Sequence, residues 1–278
     1  MSQTTRLERR TFIQWLATVP VAAFAGFRHR EGVAATSPGD AASNRPDGPA
    51  WQSGGTELIR VDYPGDDIFA SGIHCRVRLT PATTRGPCYF LDDTGEDISL
   101  GLSGLPMQLC LRLIDKDCRP LSEHTVEVWH CDRHGVYSGD TRESRNARRF
   151  RGRACTRGDR AAQQSSWYRG KLISDNNGRV NFKTCFPGWY PGRTIHVHFA
   201  VSDRSGSNRI ISQLCFNDSL AKEICTTHEM YSDRGEQDTS LAGGWDPVFP
   251  SSNHEDFLFS TQKNADGTLL AFHTIQVA

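Results

Sequence analysis

No two of the nine cysteines are spaced as CxxC, which argues against a zinc ribbon and a thioredoxin-type redox pair. Excess charge is also missing. The 32 Lys and Arg balance the 32 Asp and Glu, so nothing in the overall charge supports binding to nucleic acid or to a membrane surface. There is no Gly-rich phosphate loop, no nucleophile elbow and no metalloprotease helix. Beyond the N-terminus no apolar run is long enough for a membrane helix. No internal repeat is present. What remains is a neutral chain of 278 residues, long enough for one substantial core or two small ones.

The N-terminus reads as a targeting segment. Arg9 and Arg10 form a twin-arginine pair before an apolar run from Phe12 to Phe27, too short to span a bilayer comfortably. Small-residue cleavage sites follow at Ala23-Phe24-Ala25 and Val33-Ala34-Ala35. Residues 1–35 are therefore expected to be a twin-arginine export signal, with the twin-arginine machinery as partner and a periplasmic or extracellular destination. Residues 36–56, rich in Gly, Pro, Ser, Asp and Asn, read as a flexible linker, and 57–278 as the folded domain. Export would permit disulfides, and with Cys75, Cys88, Cys110, Cys118, Cys131, Cys155, Cys185, Cys215 and Cys225 at least one thiol stays free. The pairing and the oligomeric state are not readable.

Short strands dominate the rest. Alternation marks Met107–Ile114, Thr125–Cys131, Arg179–Phe186, Thr194–Val201, Arg209–Phe216 and Thr268–Val277. Asp175-Asn176-Asn177-Gly178 is a hairpin signal before Arg179. The best helix candidate, Leu220–Cys225, is short and capped by Asp218 or Ser219. An all-β sandwich with long loops and one short helix is expected. Residues 138–169 hold nine arginines, read either as an electropositive lid or, preferably, as a solvated surface loop.

The chemistry concentrates in FPGWYPGRTIHVHF, residues 186–199. Alternation along a strand puts His196 and His198 on one side and Ile195, Val197 and Phe199 on the other. A His-x-His pair occurs in zinc sites, in oxygenase sites and in ordinary sheets, and alone selects none of them. Tyr190 sits in a Pro- and Gly-fixed corner six residues before His196. A phenol with an ordinary pKa near 10 ionises at neutral pH only beside a strong positive charge, which points to a ferric ion over a divalent one. The alternative is a corner tyrosine bonded to backbone. Tyr137 lies on a second Gly-bounded turn, after the strand VEVWHCD.

VEVWHCDRHGVYSG, FPGWYPGRTIHVHF and QLCFNDSLAKEI together resemble the intradiol ring-cleavage dioxygenases, relatives of catechol 1,2-dioxygenase and protocatechuate 3,4-dioxygenase, and most of all their exported branch. The resemblance covers roughly residues 75 to 240. It implies a non-haem Fe(III) cofactor, with Tyr137 and His196 as equatorial ligands, Tyr190 and His198 as axial ones, and hydroxide in a fifth position. It also implies that O₂ and a catecholic substrate meet there, with cleavage between the two hydroxyl-bearing carbons to a muconate-type dicarboxylic acid. Tyr190 would leave the metal and accept a substrate proton. Arg193 would stabilise negative charge on the ring, and Gln213 would stand behind the ligands. Gly86-Pro87-Cys88-Tyr89 resembles a family segment near the site but departs from it at Cys88.

Two rivals stand beside this reading: a His-x-His zinc hydrolase with structural tyrosines, and a transthyretin-like binding module with a vestigial site. His130 and His134 flank the Tyr137 turn as candidate third imidazoles. His74, His124, His228, His254 and His273 have no partner at ligand spacing. Trp189 either lines an aromatic pocket or packs the corner.

Overall fold

The computed structural model describes residues 49–70, 80–83, 95–140 and 165–277, all within the compact unit Pro46–Ala278. Besides short 3-10 turns, the described residues form eight strands and one α-helix: β1 Pro106–Ile114, β2 Thr125–Trp129, β3 Arg169–Ile173, β4 Arg179–Cys185, β5 His196–Ser202, β6 Asn208–Cys215, α1 Asp218–Thr227, β7 Ser260–Lys263 and β8 Leu269–Gln276. They form two four-stranded sheets, ordered β4-β1-β8-β7 and β3-β2-β5-β6. This is the expected sandwich. All pairings are antiparallel except β1 with β8.

Alternation decides which side chains meet between the sheets. Met107, Leu109, Leu111 and Leu113 of β1 face Val126 and Val128 of β2, Val197, Phe199 and Val201 of β5, and Leu269, Ala271 and Ile275 of β8 in one apolar core. Each fully buried residue of this kind is worth about 1.5–3 kcal/mol. The side chains in between point outward from the sheets, and that outer face of the second sheet carries the site.

The Asp175–Gly178 turn forms, with Gly178 at φ 75°. Its flanking strands do not pair: β3 joins β2, and β4 crosses to the other sheet and joins β1. The turn signal specifies a reversal, while the core faces of the two strands select different sheets. Strands β3 and β7 lack the expected apolar alternation; β7 is STQK, a polar edge. The helix is capped by Asn217, whose side chain accepts from the Ser219 amide, instead of by Asp218 or Ser219. The segment read as linker is already part of the domain at its end. Gln52 donates to the Gly267 carbonyl, Gly54 exchanges backbone bonds with Gly104, and Trp51 packs on the core. The signal segment and residues 36–48 lie outside the described residues. No helix among the described residues is long and apolar enough to cross a membrane.

Cys118 is disulfide-bonded, while Cys110, Cys131, Cys185, Cys215 and Cys225 are free and buried. His130 points between the sheets, its ring bonded to the Thr184 hydroxyl at 2.7 Å and the Cys131 carbonyl at 2.7 Å. Burial pushes its pKa down from 6.5 to about 4. Between those values the unfolded chain takes up a proton that the folded chain refuses, so stability is lost as pH falls from 6.5 towards 4. Metal-free protein should lose about 3 kcal/mol over this window from His130 alone, at ~1.4 kcal/mol per pH unit. Urea unfolding at pH 7 and pH 4.5 measures this, and His130→Gln should lessen the slope by the share of His130 and leave that of the other buried histidines, His196, His198 and His273. An equally steep slope in that variant would assign the loss to other groups.

Candidate metal centre

Across the second sheet, Trp129 of β2 pairs with His198 of β5, which pairs with Gln213 of β6. Same-face alternation puts His196 next to His198 on the outer side, as the sequence requires. The Trp129 indole stacks on the His198 ring, centroids 5.1 Å apart and 7° from parallel. The Nδ1–H of His196 donates to the Thr194 carbonyl at 2.6 Å, which turns its Nε2 lone pair away from the strand.

Two loops bring the phenols over this pair. Asp132 organises the first: its carboxylate accepts the amides of His134 and Val136, its own amide donates to the Val136 carbonyl and its carbonyl accepts the Gly135 amide. The second is the corner Tyr190–Arg193, closed by the Arg193 amide on the Tyr190 carbonyl. The two cross at van der Waals contact. A Cβ on Gly135 would come within 2.1 Å of the Trp189 carbonyl oxygen, and one on Gly188 within 2.2 Å of the Arg133 oxygen. Gly135 also sits at φ 79°, so two independent constraints require glycine there.

The result is four donor atoms at one point. The Tyr137 oxygen is 3.0 Å from His198 Nε2 and 3.5 Å from His196 Nε2; the Tyr190 oxygen is 3.1 Å from His196 Nε2; the two Nε2 atoms are 3.1 Å apart. All four residues are at most 3% exposed. Burial drives both imidazoles well below their ordinary pKa, so they are neutral with lone pairs to offer. Burial pushes Tyr190 up to about 12, with Arg193 opposing, and raises Tyr137 well above its ordinary value. Donors about 2.0–2.1 Å from one metal ion lie roughly 2.9–3.4 Å from each other in octahedral or tetrahedral order, close to the spacings seen. Two phenols held so far from ionisation need a highly charged cation to become ligands, so the set fits a ferric ion. Among the described residues no group of three or more His, Cys, Asp and Glu side chains could hold a metal, so a zinc hydrolase has no third ligand of those types there.

Arg193, three residues from Tyr190, is turned to the same side. Its Nη1 is 3.5 Å from the Tyr190 oxygen and its Nη2 donates to Gln213 Oε1 at 2.5 Å. Its Nε donates to Asp246 at 3.0 and 3.2 Å, and Phe249 lies under the guanidinium, 5.6 Å away. Asp246 also accepts the amides of Thr194, Val248 and Phe249. The loop bearing it is tied to the strand again by Gln237 on the Ile195 amide and to α1 by Asp218 on the amides of Leu241 and Ala242.

All six residues picked from sequence thus converge: Tyr137, Tyr190, Arg193, His196, His198 and Gln213. The others separate. His130 is between the sheets, and His134 is exposed on its turn. Trp189 packs the corner, bonded to the Gly235 carbonyl under Arg234. Gly86-Pro87-Cys88-Tyr89 and residues 141–164 of the arginine-rich segment lie outside the described residues. Arg169, counted in that segment as surface loop, instead begins β3 and is 2% exposed. Asp246 and Phe249 were missed. Asp246 follows Gly243-Gly244-Trp245, a turn signal with nothing to connect it to Arg193.

The family model described as Dioxygenase matches residues 91–231, which is 141 of 278 residues. Over 130 residues the chain is 30% identical to a hydroxyquinol 1,2-dioxygenase of Corynebacterium glutamicum, covering 44% of this chain and 42% of that one. The chain thus spans about two-fifths of the length of this curated relative. In fold it is similar to an intradiol ring-cleavage dioxygenase of Tetranychus urticae, with TM-score 0.62 and 24% identity, over 72% of this chain and 94% of the other.

Proposed function

The chain belongs to the intradiol ring-cleavage dioxygenase family, and on that premise we propose that it cleaves a catecholic ring between its two hydroxyl-bearing carbons with O₂, yielding a muconate-type dicarboxylic acid. The observation that carries the proposal is the meeting of two phenol oxygens and two imidazole nitrogens from three segments, with His196 Nε2 within 3.5 Å of the other three. Tyr137, Tyr190, His196 and His198 would hold the metal. A ferric ion bound there supplies the charge that ionises the phenols and makes a chelated catecholate reactive towards O₂.

The protein's own groups have separable tasks. Tyr190 is the ligand beside Arg193 and is suited to take a substrate proton at its phenol oxygen. Arg193 offers a fixed positive charge where negative charge develops on the ring, in a place where water is excluded. Asp246 and Gln213 hold that guanidinium on two sides, so it needs no reorganisation during the reaction. Twin-arginine export is part of the proposal, supported by Arg9 and Arg10 and by the disulfide at Cys118; recovery of the full chain only from cytoplasm would oppose it.

Colour tests the assignment. Iron-loaded protein should show a visible tyrosinate-to-iron charge-transfer band, and Tyr137→Phe and Tyr190→Phe should each weaken or shift it. Oxygen uptake with a panel of catechols should identify the substrate. Unchanged spectra in both variants would remove the phenols from the metal.

A further inference from the structure

We propose that Arg169 is a positioning residue for the Tyr137 ligand: its guanidinium grips Ser138 at two atoms and thereby sets where the neighbouring phenol points. The inference rests on the dioxygenase reading of the site. Arg169 is buried, and its Nε donates to the Ser138 hydroxyl while its Nη2 donates to the Ser138 carbonyl at 3.0 Å. Two donors from one rigid planar fork onto one residue fix orientation as well as distance. Ser138 is itself fully buried, and it directly follows Tyr137.

The position of Arg169 in the sheet gives it this reach. Across β2 and β3 it pairs with Trp129, and Trp129 pairs in turn with His198 on β5. The Arg169 side chain therefore leaves the same face as the stacked Trp129 and His198 rings. From there it meets the turn carrying the phenol that lies 3.0 Å from His198. The turn has two anchors: the Asp132 network before Tyr137 and Arg169 after it. The backbone entering Arg169 is constrained as well. Tyr168 sits at φ 54°, in the left-handed region that a bulky residue seldom adopts. Its amide donates to the Ile98 carbonyl at 2.6 Å and its carbonyl accepts the His130 amide at 3.1 Å. Burying a guanidinium is costly unless its hydrogen bonds are well made. Here two of its bonds act on the residue next to a ligand.

The test compares Arg169→Met, Arg169→Lys and Ser138→Ala with Arg179→Met in iron-loaded protein. Arg179 is a second buried arginine, bonded to Asp66 and the Pro64 carbonyl, and serves as a control for lost stability alone. The readouts are the visible band and iron affinity by competition with a chelator. Arg179→Met should melt earlier with an unchanged band. Arg169→Met should bind iron on the order of 10- to 100-fold more weakly, the range for losing an outer partner of a ligand. Arg169→Lys should recover part of the loss, and Ser138→Ala should move the band in the same direction by less. Wild-type bands and affinities in Arg169→Lys and Ser138→Ala overturn the proposal, and these two decide if Arg169→Met does not fold. A colourless wild type would overturn the dioxygenase reading and this inference with it. A coloured wild type with unchanged variants would overturn this inference only.

Discussion

His196→Ala should leave a folded protein that neither holds iron nor cleaves catechols. The imidazole Nε2 lies within 3.5 Å of all three other donors, so its loss opens the centre of the set instead of an edge. Among the described residues nothing nearby can replace it: burial raises Tyr190 to about 12 and Tyr137 well above its ordinary value, so both ionise only with the metal's help. On the scale of four-ligand structural zinc sites, worth about 10–16 kcal/mol, one ligand is worth ~3 kcal/mol, or about a hundredfold in affinity. Ring cleavage should fall by more than about 10³, since the phenol ionisation it requires is lost as well. The fold should survive because β5 is anchored through Val197 and Phe199 on its other face. Iron stoichiometry, the visible band and oxygen uptake measure the outcome. A variant with one iron per chain and wild-type colour would exclude His196 as a ligand.

Arg193→Met should separate iron binding from turnover. The guanidinium touches Tyr190 and Gln213 but is not among the four donors, so the variant should still bind iron. Losing one preorganised donor to developing charge typically costs 10²–10³ in kcat, about 2.7–4 kcal/mol. The fall should appear in kcat more than in KM. Stability should drop too, because Asp246 keeps three backbone donors but loses its cation. Asp246→Asn should reproduce part of the kcat loss through a misplaced arginine. Wild-type kcat in iron-loaded Arg193→Met would leave the guanidinium a purely structural partner of Asp246.

How much of this was legible depended on whether local pattern and tertiary demand agreed. Six strands announced themselves because their buried faces repeat every second residue. The edge strand β7 has no buried face to repeat, and β3 is hidden behind a run of arginines whose composition suggests surface. Four of the six site residues were readable because Tyr-x-x-Arg and His-x-His each place two side chains together by local geometry, a turn in one case and a strand in the other; Tyr137 stood out on its Gly-bounded turn, and Gln213 only through the family resemblance. Asp246 lies 53 residues from Arg193 on an irregular loop, and no local period links them. The same holds for Arg169 and Ser138, 31 residues apart. Partners that act through a ligand are set by the sandwich and not by spacing.

Strand β8 carries a consequence for biosynthesis. It lies between β1 and β7, yet it consists of Leu269–Gln276 and is translated after every other described strand. The strands that carry the histidines and Gln213 have all been translated by Cys215. Until Gln276 emerges, β1 lacks one neighbour, and Val197 and Phe199 lack the Leu269 and Ala271 side of their core. The half bearing the donor atoms can therefore be assembled on a nascent chain, but closure of the sandwich has to await β8.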